Sequence, residues 1–118
     1  MLRTEPQTVL ARLMATILDR KTNPAEKSYT AKLLAGGVPA IGGKITEEAA
    51  EVVEAAGEPV DEGRQHLVRE AADLVYHLLV MLAHRDAGLA DVEAELARRF
   101  GISGLEEKAS RGPGTHEA

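Results

Sequence analysis

The sequence contains no cysteine and no tryptophan, one phenylalanine and two tyrosines. Without cysteine, disulfides and thiolate-bound metals are excluded, and the redox compartment stays open. So few rings cannot supply the stacking platform that holds single-stranded nucleic acid. Strand positions favour aromatic and β-branched side chains, whereas the abundant Ala and Leu favour close-packed helices. No basic stripe is present either. A formal net charge of −5 argues against nonspecific nucleic-acid binding. No apolar run reaches membrane-spanning length, and the opening "MLRTEPQTVL" lacks the apolar core and cleavage site of a secretory signal. The expectation is a cytoplasmic protein that binds neither nucleic acid nor membrane.

What is present is helical periodicity. The 118 residues suit one domain, large enough for a core but marginal alone. From about Pro6 to Lys21, Val9, Leu10, Leu13, Met14, Ile17 and Leu18 recur at helical spacing. Pro24 ends that run. Ser28 can cap a short helix through "YTAKLLAGG", stopped by Gly36 and Gly37. "GGVPAIGG" then reads as a loop. It does not match a phosphate-binding loop, because Val38 stands where the first glycine belongs and Ile45 where Ser or Thr is required. Thr46 is the expected N-cap of a third helix ending at Gly57, and "GEPVDEG" the connection to a fourth, roughly Arg64 to Arg85. A fifth covers Leu89 to Phe100, with acids early and Arg98 and Arg99 late, as the helix dipole prefers. The resulting expectation is an all-α bundle of four to five helices over residues 1–105, followed by a polar, disordered tail over 106–118.

The fourth helix carries Leu67, Val68, Leu74, Val75, Leu78, Leu79, Val80, Met81 and Leu82 around nearly its whole circumference. A helix apolar on every side is buried on every side. A chain this small has few helices to cover it, so the bundle is expected to be completed by homodimerisation.

Against this apolar background stands a concentration of acids. "KITEEAAEVVEAAG" places Glu47, Glu48, Glu51 and Glu54 within eight residues. With Glu47 at zero, Glu51 lies at about 40°, Glu48 at about 100° and Glu54 at about −20° around the helix, one arc. Taken alone, such an arc is usually a solvated face. In "LVREAADLVYHLLVML", Glu70 and Asp73 share a face amid apolar neighbours, and His77 continues their line. Like charges kept from water are costly, and a hard divalent cation held by carboxylate oxygens of two antiparallel helices relieves them. The second pair is Glu-x-x-Asp rather than the Glu-x-x-His of di-iron bundles, which favours Mg²⁺, or Mn²⁺, acting on phosphates.

"EEAAE" followed after eighteen residues by "EAAD" resembles the acidic signature of the all-α, MazG-like nucleoside-triphosphate pyrophosphohydrolases. With "SYTAKLL", "KITEEAAE" and "EAADLVYHLLVML", the span from Ser28 to Phe100 resembles, more narrowly, the phosphoribosyl-ATP pyrophosphohydrolase family of histidine biosynthesis. Lys27 departs from the glycine expected before "SYT". The resemblance implies a helical, dimeric, Mg²⁺-dependent enzyme that splits phosphoribosyl-ATP into phosphoribosyl-AMP and pyrophosphate. It implies Glu48, Glu51, Glu70 and Asp73 as metal ligands and Glu47 as a fifth carboxylate, our choice for the general base. Lys32 and Lys44 could offset phosphate charge, or be ordinary surface lysines. Ser28, Tyr29 and Thr30 could donate hydrogen bonds to phosphate or ribose, or simply cap their helix. Tyr76 and His77 could line the pocket, although a bundle histidine bonded to one of the acids suits His77 equally. His66 and His84 read as peripheral. The alternatives are a MazG-like pyrophosphatase of free nucleoside triphosphates and a non-catalytic, metal-binding helical dimer.

Overall fold

A computed structural model describes residues 8–24 and 27–100, and the tail expected at 106–118 lies outside them. Among the described residues the protein is all-α: α1 (Val9–Thr22), α2 (Tyr29–Ala56), α3 (Val60–His84) and α4 (Leu89–Phe100). The chain divides into two compact units, Met1–Ala87 and Gly88–Ala118. No helix among the described residues is long and apolar enough to cross a membrane.

In the first unit, α2 and α3 form a helical hairpin and α1 packs across both. Thr8 caps α1, its hydroxyl accepting from the Ala11 N–H at 3.0 Å. Met14 and Ile17 of α1, Leu33, Ile41 and Ala55 of α2, and Leu79, Val80 and Ala83 of α3 are the buried apolar residues. Ile17, Ile41 and Val80 are the largest side chains closed off from solvent, each contributing about 1.5–3 kcal/mol by burial.

The helix expected to stop at Gly36–Gly37 does break there, but the expected loop through "GGVPAIGG" does not exist. The chain re-enters helix at once, with only Gly37 outside helical geometry, at φ 70° and ψ −162°. Thr46 therefore lies inside a helix and is not a cap. Pro39 is tolerated because it falls in the first turn of the resumed segment, where its missing N–H has no helical acceptor to lose. The inside of the bend is tight. A Cβ on Gly36 would stand 2.6 Å from that of Ala40.

α3 starts at Val60 rather than near Arg64, which shrinks the expected "GEPVDEG" connection to three residues, Gly57 to Pro59. Asp61 and Glu62 thereby fall in its first turn, where the helix dipole favours acids. Gly63 lets this turn approach the end of α2, since a Cβ there would lie 2.9 Å from Glu58 Cβ and 3.0 Å from the Ala55 carbonyl. Burial around the whole of α3 is not achieved within one chain: Val68 is 57% exposed and Leu78 44%.

The far end of α3 is closed by a left-handed residue, Asp86 at φ 62°. The Asp86 N–H bonds to the Ala83 carbonyl at 3.0 Å and the Ala87 N–H to that of Leu82 at 2.8 Å, the two bonds of a Schellman cap. Lys21 of α1 completes it. Its ammonium donates to the Ala83 carbonyl at 2.8 Å, to that of His84 at 3.3 Å and to Asp86 Oδ1 at 2.6 Å, so α1 is fastened to the negative end of the α3 dipole.

In the second unit, Asp91 accepts from the Gly88 N–H at 2.9 Å at the start of α4. Glu95 accepts from both Arg98 and Arg99, which hold its carboxyl down to about 2. Val92 and Leu96 are exposed.

Two outcomes test these joints. Gly37→Ala should destabilise the protein by about 1–3 kcal/mol in denaturant unfolding, from backbone strain alone, because the nearest atom to the added methyl, on His84, is an ordinary 3.8 Å away. Lys21→Met should cost about 1–2 kcal/mol through the lost carbonyl bonds. The Lys21 hydrogen bond and charge hold the Asp86 carboxyl below its usual value. That contribution is complete above the unfolded carboxylate range and is lost as pH falls through the lowered folded value. Melting temperature against pH should therefore show a shallower acid limb in the variant.

Candidate functional site

The bend at Gly37 decides what meets in the hairpin seam. Tyr29 and Glu48 are nineteen residues apart on α2, about 28 Å along a straight helix. Yet one imidazole bonds to both. His77 Nδ1 lies 2.6 Å from Glu48 Oε1 and 2.9 Å from the Asp73 carbonyl oxygen, and His77 Nε2 lies 3.0 Å from the Tyr29 hydroxyl. Only a chain folded back at Gly37 brings residues 29–36 beside the acids of 47–54. Beside this chain, the Tyr29 and Tyr76 rings lie nearly parallel, 20° apart with centroids at 6.2 Å, and Thr30 and Tyr76 share a hydrogen bond between their hydroxyls. Ser28 caps α2, its hydroxyl accepting from the Ala31 N–H at 3.1 Å.

The acids are handled differently from one another. Glu48 and His77 are the buried polar residues of the seam, 8% and 4% exposed. The sequence places Glu70 and Asp73 together away from water; instead Glu70 is partly buried and Asp73 is exposed. The α3 surface at Asp73 is simply not covered within one chain. Glu51 on α2 and Glu70 on α3 face each other. Their carboxyls share a hydrogen bond, and that bond, then the Glu70 charge, push the Glu51 carboxyl above its usual range, with Asp73 adding to the effect. Among the described residues, no three His, Asp or Glu side chains stand grouped to hold a metal ion. The four acids implied as ligands instead divide between Glu48 on His77, Glu51 against Glu70, and Asp73 close enough for its charge to be felt at Glu51.

His66, which reads as peripheral in the sequence, is not. Its Nδ1 lies 2.9 Å from Glu58 Oε2 and its Nε2 3.3 Å from Glu70 Oε2. The spacing of His66 and Glu70, four apart on a helix, is the signal that could have revealed it. Glu58 could not be foreseen, because it arrives through the close α2–α3 turn at Gly63. Lys44 Nζ stands 3.9 Å from Glu47 Oε1 at the surface, and Lys32 is exposed one turn from Ser28. The Tyr29 hydroxyl is pushed up from its usual value by partial desolvation, which Lys44 opposes and Tyr76, Glu48 and Glu47 reinforce. Lys44, Glu47, Glu48, Tyr29 and Tyr76 therefore share one electrostatic neighbourhood.

A family model described as phosphoribosyl-ATP pyrophosphohydrolase matches residues 10–100. A protein named phosphoribosyl-ATP pyrophosphatase from Rhodopirellula baltica is 57% identical over 102 residues, covering 86% of this chain and 85% of its own length. Proteins of the same name from Dinoroseobacter shibae and Paracoccus denitrificans are 58% and 57% identical, over 87% and 88% of this chain and 98% and 94% of their own lengths.

The facing carboxyls give a direct test. In the presence of a chelator, Glu51→Gln should raise the melting temperature, because it removes one of two opposed charges while its amide can donate to Glu70. A lower melting temperature under those conditions would contradict the charge repulsion described.

Proposed function

Because this chain belongs to the phosphoribosyl-ATP pyrophosphohydrolase family, we propose that it hydrolyses phosphoribosyl-ATP to phosphoribosyl-AMP and pyrophosphate, the second step of histidine biosynthesis. The observation that supports this site for the chemistry is the opposition of Glu51 and Glu70 across α2 and α3, within the span the family model covers. Two opposed carboxyls fit a hard divalent cation, and oxygen-only donors suit Mg²⁺, with Mn²⁺ as substitute. Glu48, Glu51, Glu70 and Asp73 would hold it. When bound, such an ion draws charge from the phosphate oxygens of the substrate.

The chain's own groups then divide the work. Glu47, exposed and only loosely paired with Lys44, accepts a proton from the attacking water. That water's oxygen bonds to phosphorus as the α–β phosphoanhydride bond breaks and pyrophosphate leaves. Lys44 and Lys32 offset the anionic charge brought into an acidic seam. Thr30 and Tyr76 form a hydroxyl-bearing wall beside Tyr29, and Ser28 holds that wall at the start of α2. His77 fixes Glu48 against α3.

We extend the reading to a homodimer in the cytoplasm. Val68, Val75 and Leu78 lie exposed along α3, an apolar surface of the kind subunits cover. A biosynthetic enzyme acting on a nucleotide works where that nucleotide pool lies.

Purified protein with Mg²⁺ should release pyrophosphate from phosphoribosyl-ATP and stop on chelation. Glu51→Gln and Asp73→Asn should each lower kcat by about a hundredfold or more, the scale of losing one group that stabilises transition-state charge. Hydrolysis of ATP with phosphoribosyl-ATP left intact would instead identify a general nucleotide pyrophosphatase. Undiminished hydrolysis in both variants would remove the acids from the reaction.

A further inference from the structure

The buried imidazole of His77 has a direction that its neighbours impose. Its Nδ1 faces Glu48 Oε1 at 2.6 Å and the Asp73 carbonyl oxygen at 2.9 Å. A backbone carbonyl has no proton to give, and an ionised carboxylate only accepts. The Nδ1 nitrogen must therefore carry hydrogen. In the neutral ring this leaves Nε2 as a bare acceptor, and its neighbour at 3.0 Å is the Tyr29 hydroxyl, which supplies the proton. Burial keeps the arrangement from being exchanged for water, since His77 is 4% exposed. Partial desolvation also raises the Tyr29 hydroxyl above its usual value, so the phenol retains the proton it donates.

Tyr29 itself is 49% exposed. Its one O–H points inward, and what remains toward solvent is oxygen lone pair. We infer that Tyr29 is a specificity-determining residue, set by His77 as a positioning residue: it accepts a hydrogen bond from an O–H or N–H of the substrate's sugar or base and does not bind a phosphate oxygen. At neutral pH a phosphate ester offers acceptor oxygens, and two acceptors facing each other repel. This replaces the expectation that Tyr29 donates to phosphate or ribose. It rests on the proposed activity for the identity of the substrate, and on the hydrogen-bond geometry alone for its direction.

Two measurements test it on the full chain. In ¹⁵N NMR of the metal-free protein at pH 8.5, His77 should show a protonated Nδ1 and an unprotonated Nε2, in wild type and in Tyr29→Phe. A proton on Nε2 would overturn the inference. In kinetics, Tyr29→Phe should raise KM for phosphoribosyl-ATP about tenfold, the scale of one hydrogen bond to a neutral group. It should leave kcat near wild type and competitive inhibition by inorganic pyrophosphate unchanged. Binding of ATP locates the donor. A loss for phosphoribosyl-ATP and not for ATP places it on the phosphoribosyl group, and equal losses place it on the adenosine half. A matching loss for pyrophosphate, or no loss for either nucleotide, would overturn the inference. Should wild type bind ATP but leave phosphoribosyl-ATP intact, the proposed activity fails, while the comparison of ATP with pyrophosphate still decides the role of Tyr29.

Discussion

The site depends on a single backbone conformation. Gly37, at φ 70° and ψ −162°, occupies a region that is essentially closed to residues with a Cβ. Through it the start of α2 is turned back upon its own second half, and His77 can bond Tyr29 and Glu48 together. In an unbroken helix of the same sequence, those side chains would stand several turns apart, and the tyrosines, Thr30 and the acids would form no common site.

Within that frame, clustered negative charge is the second constraint, and the protein meets it piecemeal. Glu48 is the most enclosed acid and has the best donor, a buried imidazole at 2.6 Å. A carboxylate so enclosed requires such a donor, because an unpaired one would cost several kcal/mol, by roughly the scale of uncompensated burial. Glu51 and Glu70 have no donor of that quality between them, and their opposition pushes the Glu51 carboxyl above its usual range. His66 steadies Glu70 from the opposite side and is itself held by Glu58. Paired, shared and steadied carboxyls thus occur within a few turns of one hairpin. That uneven treatment separates Glu48, fixed by a buried imidazole, from Glu51 and Glu70, which face each other.

Much of this could be read in the sequence. The helical periodicity around Ile17 and Val80, the Ser28 cap and the bounds of α4 all follow from spacing, because helix geometry is local. The missing parts are those where packing overrides local preference. "GGVPAIGG" has a loop's composition, yet helix resumes through Gly42, whose added Cβ would touch only Met81 at 3.9 Å. The early start of α3 depends on Gly63 nestling against Glu58 and Ala55. Apolar neighbours suggest a sheltered Asp73, but they share its helix without covering it. The tyrosine–imidazole–carboxylate chain joins three elements of sequence separated by a bend, and no spacing rule reports on a bend.

The fold-back has an evolutionary corollary. Residues 29–36 carry no acid and touch the seam through hydroxyls and rings, whereas the carboxylates begin only beyond the bend. On the proposed reading, recognition and bond cleavage occupy separate arms that meet at one glycine. Substitutions in the recognition arm can alter which nucleotide is welcomed without disturbing the spacing of the acids, so a single catalytic arm could serve a lineage of differing appetites.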